Sequence, residues 1–223
     1  MSGNMSLQDK PYIFMWHPHG VFPTTLFFHT CTTITNAPTV IQRAKTIVFS
    51  GLKWIPFADE CIRELLDILY SDYDSMKQAL VENTSISLYP GGMREMLYED
   101  SVILSQRRGI FKMALETGTP LVPIVSIGET SIFQLYSLPH WIQDLLKPYD
   151  ACIGIPTLKT MIKYINMMWN PLKDPIVSVI GDPILVEKVD TPTELQILTL
   201  RSKYIERLKI MYKKEVGRDL VIL

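Results

Sequence analysis

The apolar positions of this chain fall into two rhythms, continuous short runs closed by turn residues and helical stripes of three-and-four spacing. Tyr12 to Trp16 is an unbroken apolar and aromatic run that stops abruptly at His17-Pro18-His19-Gly20. It predicts a buried strand over Pro11 to Trp16. Lys45 to Phe49 predicts a second strand, closed by Ser50-Gly51. Ser85 to Tyr89 alternates and predicts a third, broken by Pro90-Gly91-Gly92. Leu121 to Ile127 predicts a fourth, ending at Gly128, although Pro123 within it requires an edge position or a bulge. Ile176 to Ile180 predicts a fifth, closed by Gly181-Asp182-Pro183.

Helical stripes lie between these runs. Asp59 reads as an N-cap, with Ile62, Leu65, Leu66 and Leu69 on one face behind it. A further helix is predicted over Tyr73 to Val81. Another spans Gly109 to Thr117, with Ile110, Met113, Ala114 and Leu115 inward and Gly118 as its stop. Ser131 to Leu146 is expected to be helical. The last helix is expected to open on Thr191 as N-cap, with Pro192 at the first helical position and Glu194 completing a capping box. Its inward face is read as Leu195, Leu198, Ile205 and Leu208. Pro23 to Thr35 fits helix and extended chain equally, and residues 147–175 give no clear period.

Strands alternating with helices predict an α/β fold, with a mostly parallel central sheet flanked by helices and right-handed crossovers. No repeat, low-complexity tract or linker interrupts residues 1–223, so a single domain is expected. In parallel sheets, ligands bind beyond the carboxyl ends of the strands. His17–Gly20, Pro90–Gly92 and Gly128–Glu129 each follow an apolar run, so they are expected to meet at one rim.

Composition narrows the function. The chain has 223 residues, of which 47% are hydrophobic, enough for a full core. Its 22 basic residues nearly balance 23 acidic ones, which argues against nucleic acid as a partner. Cys31, Cys61 and Cys152 are odd in number and far apart, which suits buried thiols in a reducing, intracellular compartment. No apolar run reaches the roughly 18 residues of a transmembrane helix.

The chemistry concentrates in the turns. His19 is a candidate general base, since imidazole exchanges a proton near neutral pH. His17 lies two residues away, where an extended backbone would project both rings from one face. Gly20 leaves room for a substrate. A metal pair is the competing reading, but it lacks ligands: His29 and His140 have no second ligand at metal spacing, and no metal site is expected. Gly91 and Gly92 let backbone amides approach an anion, and Arg94 adds a fixed guanidinium fork beside Glu95. Arg107, Arg108 and Lys112 place three cations around a helix start, a position that an anionic ligand would favour.

His-Pro-His-Gly, then Tyr-Pro-Gly-Gly-Met-Arg-Glu, then the long block from Arg107 to Glu129, resemble the diacylglycerol acyltransferase type 2 family of the glycerolipid acyltransferase superfamily. The resemblance runs from about Tyr12 to Gly181-Asp182-Pro183. It implies an acyltransferase that uses acyl-CoA as co-substrate, without a further cofactor, to acylate a hydroxyl of a neutral lipid. Diacylglycerol giving triacylglycerol is the first expectation. Monoacylglycerol, fatty alcohol or sterol-type acceptors are alternatives, as is an ester hydrolase or transacylase on the same fold. The resemblance implies that His19 is the base, and that Gly91, Gly92, Arg94 and Glu95 contact substrate or CoA.

Two departures sharpen these expectations. Superfamily members with a His-x4-Asp motif carry an aspartate five residues after the base, where this chain has Thr24. Another group must then orient His19, with His17 and Glu95 as the first choices. The hydrophobic hairpin that precedes the motif in the family is also missing from this chain. Any contact with the endoplasmic reticulum, a lipid droplet or another cytoplasm-facing membrane is therefore expected to be peripheral, with residues 158–170 as a possible surface. A hydrolase would need a nucleophile, and the chain has no Gly-x-Ser-x-Gly elbow. A non-catalytic lipid-binding relative would have no use for an intact His-Pro-His-Gly turn.

Overall fold

The runs with fewest polar residues become the strands buried on both faces. The computed structural model describes residues 10–20, 25–26, 38–54, 60, 63–64, 67–98, 101–132, 135–146, 154–158, 160–162 and 176–223. In chain order the elements are β1 (Ile13–His17), α1 (Thr39–Gln42), β2 (Lys45–Val48), β3 (Ile68–Tyr70), α2 (Tyr73–Val81), β4 (Ile86–Leu88) and β5 (Ser101–Val102). There follow α3 (Gly109–Thr117), β6 (Leu121–Ile127), α4 (Glu129–Ile132), β7 (Leu135–Ser137), α5 (His140–Leu146), β8 (Gly154–Pro156), β9 (Val177–Ile180), α6 (Glu194–Val216) and β10 (Val221–Ile222). The main sheet has six strands in the order β3-β2-β4-β1-β6-β9. The first five are parallel, and β9 runs antiparallel to β6 at one edge. This is the mostly parallel α/β sheet expected from the alternation of elements.

Side-chain alternation sorts the sheet into two apolar layers. Ile13 and Met15 of β1, Ile86 and Leu88 of β4, and Leu121 and Val125 of β6 face α2, α3 and α6, packing with Leu80, Phe111, Met113, Tyr204 and Leu208. Tyr12, Phe14, Trp16, Tyr89, Val122 and Ile124 face the other way, against Leu26, Ile41 and Ala44. Fully burying each large side chain of this kind contributes about 1.5–3 kcal/mol. Two serines on the second face are satisfied locally. Ser85 accepts the Tyr12 backbone N–H at 3.1 Å, and Ser87 accepts the Trp16 indole N–H at 2.7 Å.

Pro123 sits inside the sheet, and a bulge accommodates it. Ile124 pairs with Ile180, and Leu121 with Ile184, so three residues on the far side oppose two on β6. Gly181 then reaches the Pro123 carbonyl at 2.8 Å, and the proline's missing N–H faces the bulge.

Three sequence expectations are corrected. Leu69, read as the end of a helical face, lies in β3, paired with Ile47. Two bulky residues on either side of Leu69 satisfy a strand buried against β2 as readily as a helix. The segment expected to be one helix over Ser131 to Leu146 is broken into α4, β7 and α5, with Tyr136 of β7 paired to Ile155 of β8. Pro139 stands just before α5, where it cannot continue a helix from upstream.

The capping box of α6 lies two residues later than expected. Thr193 is the N-cap: its hydroxyl accepts the Gln196 N–H at 3.3 Å, and the Gln196 side chain accepts the Thr193 N–H at 2.8 Å. The buried face is Ile197, Leu200, Tyr204, Leu208 and Tyr212; of the expected residues Leu208 is buried and Ile205 packs against the core, while Leu195 is 74% exposed. Thr193→Ala is expected to cost about 1 kcal/mol in a urea melt, and Thr191→Ala close to nothing.

Candidate active site

Adjacent parallel strands end on the same side, so topology alone assembles the site. β4, β1 and β6 are neighbours. Their carboxyl ends bring together Tyr89–Gly92, His17–Gly20 and Gly128–Glu129, at the rim where a parallel sheet receives ligands.

The two imidazoles part there. His17 is the last residue of β1 and keeps the face of Ile13 and Met15. It is fully buried, with Nε2 2.9 Å from the Tyr204 hydroxyl of α6. Burial without a charged partner holds its pKa down to about 3. The strand stops at His17, so the alternation rule does not reach His19, and the expected common face for the two rings is not formed. His19 instead lies against Tyr89 on the opposite layer, ring centroids 4.4 Å apart and planes tilted by 49°.

His19 has one defined tautomer. Its Nδ1 is hydrogen-bonded to the Gly20 carbonyl. A carbonyl only accepts, so Nδ1 carries the proton and Nε2 keeps the basic lone pair. Burial lowers the pKa to about 4, with the Gly20 carbonyl opposing. The ring is neutral at physiological pH. Thr24 lies outside the described residues. Neither His17 nor Glu95 bonds the His19 ring; the Gly20 carbonyl takes that place.

Glu95 joins the two glycine-bearing turns from beneath. It is fully buried, and its Oε1 accepts the Ile103 N–H at 2.7 Å. Burial pushes its pKa up to about 8, opposed by the backbone N–H groups of Ile103 and His19 and by the charge of Arg107. Glu95 is therefore a neutral acid at neutral pH. Gly91 packs directly on this carboxyl group, where a Cβ would collide with it. Gly92 has φ 67° and ψ −165°, a conformation open in practice only to glycine. Its N–H is held by the Tyr89 carbonyl at 3.2 Å.

The basic residues separate. Arg107 turns inward and donates to the Gly91 carbonyl at 2.8 Å. Arg108 faces α6 and pairs with Glu194 at 2.8 Å on the surface. Lys112 lies 3.6 Å from Glu116, which also receives Lys77 at 2.6 Å and the Tyr73 hydroxyl at 2.8 Å. Only Arg107 of this trio reaches the rim. Arg94 sits half-buried in the turn Met93–Leu97, with no hydrogen bond or ion pair to the described residues.

Sequence reasoning did not single out the polar cluster beside His19. The Tyr89 hydroxyl donates to Glu129, with both carboxylate oxygens at 2.9 Å. The Thr25 hydroxyl meets Tyr89 and Ser126 at 2.9 Å each and donates to Glu129. Burial raises the pKa of Tyr89 well above, and that of Glu129 above, its ordinary value. The available signal was positional: Tyr89 and Glu129 each close or follow a strand already assigned to the rim. Among the described residues, no group of three His, Cys, Asp or Glu side chains gathers as a metal site. No described helix is long and apolar enough to cross a membrane.

Comparison with known proteins agrees with this geometry. The family model for diacylglycerol acyltransferase matches residues 3–219. The chain is 29% identical over 227 residues to mouse 2-acylglycerol O-acyltransferase 1, covering 93% of the chain and 66% of that protein. It is 29% identical over 239 residues to Xenopus tropicalis diacylglycerol O-acyltransferase 2, covering 95% and 63%. With human acyl-CoA wax alcohol acyltransferase 2 it shares 22% identity over 217 residues, covering 92% and 65%. The chain thus spans just under two thirds of the length of these relatives. No solved structure matches it. A family match across nearly the whole chain, on a sheet that gathers the His-Pro-His-Gly and Pro-Gly-Gly turns at one rim, shows that the chain belongs to the diacylglycerol acyltransferase family.

Proposed function

We propose that this chain carries an acyl-CoA-dependent O-acyltransferase centre that acylates the hydroxyl of a neutral lipid, with diacylglycerol as the acceptor and triacylglycerol as the product. The observation that carries this reading is His19, a neutral imidazole held by Gly20 as the Nδ1–H tautomer at the point where three strands end. The names of the three relatives differ in the acceptor and share acyl transfer to an alcohol.

The steps balance with this chain's own groups. Nε2 of His19 takes the acceptor's hydroxyl proton as the oxygen attacks the thioester carbonyl. The tetrahedral intermediate collapses, the C–S bond breaks, and the imidazolium returns its proton to the thiolate of CoA. Arg94, uncommitted to any described residue, is assigned to an anionic part of acyl-CoA. Arg107 holds the Gly91 turn in place. The acceptor is a lipid, so we assign peripheral work at a membrane or droplet surface. The exposed Leu158, Met161 and Ile162 lie in the segment the sequence suggests for that contact.

Purified protein given labelled oleoyl-CoA and a panel of diacylglycerol, monoacylglycerol, fatty alcohol and sterol should form triacylglycerol fastest, read by lipid chromatography. Free fatty acid as the main product would make the chain a hydrolase. Faster ester formation on another alcohol would reassign the acceptor and keep the chemistry.

A further inference from the structure

A base that accepts a proton becomes a cation, and His19 would do so among buried groups. That charge needs a partner. Among the described residues no carboxylate reaches the His19 ring: Gly20 occupies Nδ1, Glu95 lies toward its backbone N–H, and His17 points into the opposite layer toward Tyr204. What faces the ring is Tyr89, at 4.4 Å. An aromatic ring at this distance attracts a cation through its quadrupole.

Tyr89 is also fixed in a way that a plain packing residue is not. Its hydroxyl is 2.9 Å from both oxygens of Glu129, which is 1% exposed. Glu129 is held in turn by Thr25, which contacts Ser126 at 2.9 Å. A phenol that donates to a carboxylate becomes more electron-rich, and its ring becomes a better partner for a cation.

We propose that Tyr89 is a positioning residue for His19: its ring, anchored and polarised by Glu129 through the hydroxyl, fixes the imidazole and stabilises the positive charge it gains on taking the acceptor's proton. The reaction itself rests on the reading of His19 as the base. The Tyr89–Glu129 pair then fills the place of the carboxylate that the His19 ring lacks.

The test uses the full chain and variants that keep the volume of the site: Tyr89→Phe, Glu129→Gln and the double variant. The first readout is the His19 pKa, followed by NMR of isotope-labelled histidine rings down to about pH 2.5. The second is the rate of acyl transfer at neutral pH. Each single variant should lower the His19 pKa by about half a unit to one unit and the rate about three- to tenfold, with KM for acyl-CoA within about twofold. The double variant should match the larger single, since Glu129 acts through the hydroxyl that Tyr89→Phe removes. An unchanged or raised His19 pKa in both folded single variants overturns the proposal, whatever happens to the rate. Additive shifts in the double variant also overturn it, because Glu129 would then act without Tyr89. If Glu129→Gln does not fold, Tyr89→Phe alone decides. The reading of His19 as base fails separately, by His19→Ala retaining transfer, and the pKa measurement stays valid in that case.

Discussion

His19→Ala should slow acyl transfer roughly 10²–10⁴-fold and leave the chain folded. On the proposed mechanism the Nε2 lone pair accepts the acceptor's proton, and alanine has no replacement for it. The fold survives because the side chain is only half-buried and its ring bonds just its own neighbour, Gly20. The backbone N–H that helps hold Glu95 is kept. His17→Ala should show the opposite division. His17 is fully buried and tied to Tyr204 across layers, so its loss leaves a cavity and an orphaned hydroxyl. We expect a cost of about 2–4 kcal/mol in stability, and a smaller loss of rate per folded molecule. Assaying both variants at matched folded fraction checks the ordering. If His17→Ala is the slower enzyme, the turn has been misread. The pH profile follows from the same geometry. The His19 pKa of about 4 keeps the base unprotonated across pH 6–8. The rate should be flat over that range on the acid side and fall only below about pH 5 as the ring takes a proton.

The central strands were legible because burial on both faces leaves a mark in the chain itself. Ile13 to Trp16 and Leu121 to Ile127 contain almost no polar residues. The rim followed from them, since parallel neighbours must end together. β3 was not legible: Ile68, Leu69 and Tyr70 continue an apolar spacing that a helix would share, and only pairing with β2 decides between the two. The cap of α6 lies two residues from the expected one because Asp190, Thr191 and Thr193 compete as caps around Pro192, and the winner is set by where Gln196 can reach back.

The site divides along the same line. His19, Gly91, Gly92 and Glu95 lie within the turns they build, so a local motif is enough to nominate them. The divergence of His17 from His19 depends on where β1 stops, a one-residue matter that periodicity does not resolve. Tyr204 reaches His17 across 187 positions, and Glu129 reaches Tyr89 across 40. Nothing local in the chain announces partners that the sheet order brings together.

Glu95 should give the chain a stability maximum near pH 6.5, and the sign can be worked through. In the folded chain Glu95 keeps its proton up to about pH 8, against 4.5 in an exposed carboxyl group. Between those values the folded state binds the extra proton, so stability falls as pH rises, by up to about 1.4 kcal/mol per unit. The histidines act in reverse. His17 and His19, with folded values of about 3 and 4 against 6.5, leave the folded state short of protons in acid, so stability falls as pH drops below 6.5. Between pH 4.5 and 6.5 the two histidines outweigh Glu95, with Glu129, whose shift has the same sign as that of Glu95, opposing them from its ordinary value upward, and above 6.5 Glu95 sets the slope. Urea melts from pH 5 to 9 should therefore peak near 6.5 and decline toward 8. Glu95→Gln, a neutral side chain of the same shape that can still accept the Ile103 N–H, should flatten the decline while keeping the acid limb. Glu95→Ala should cost about 2–4 kcal/mol at pH 6.5, since it empties the space under Gly91 and leaves the Ile103 amide unpaired. A wild-type melt whose stability rises through pH 8, or a Glu95→Gln variant with an unchanged alkaline decline, would mean that this carboxyl group is ionised in the folded chain.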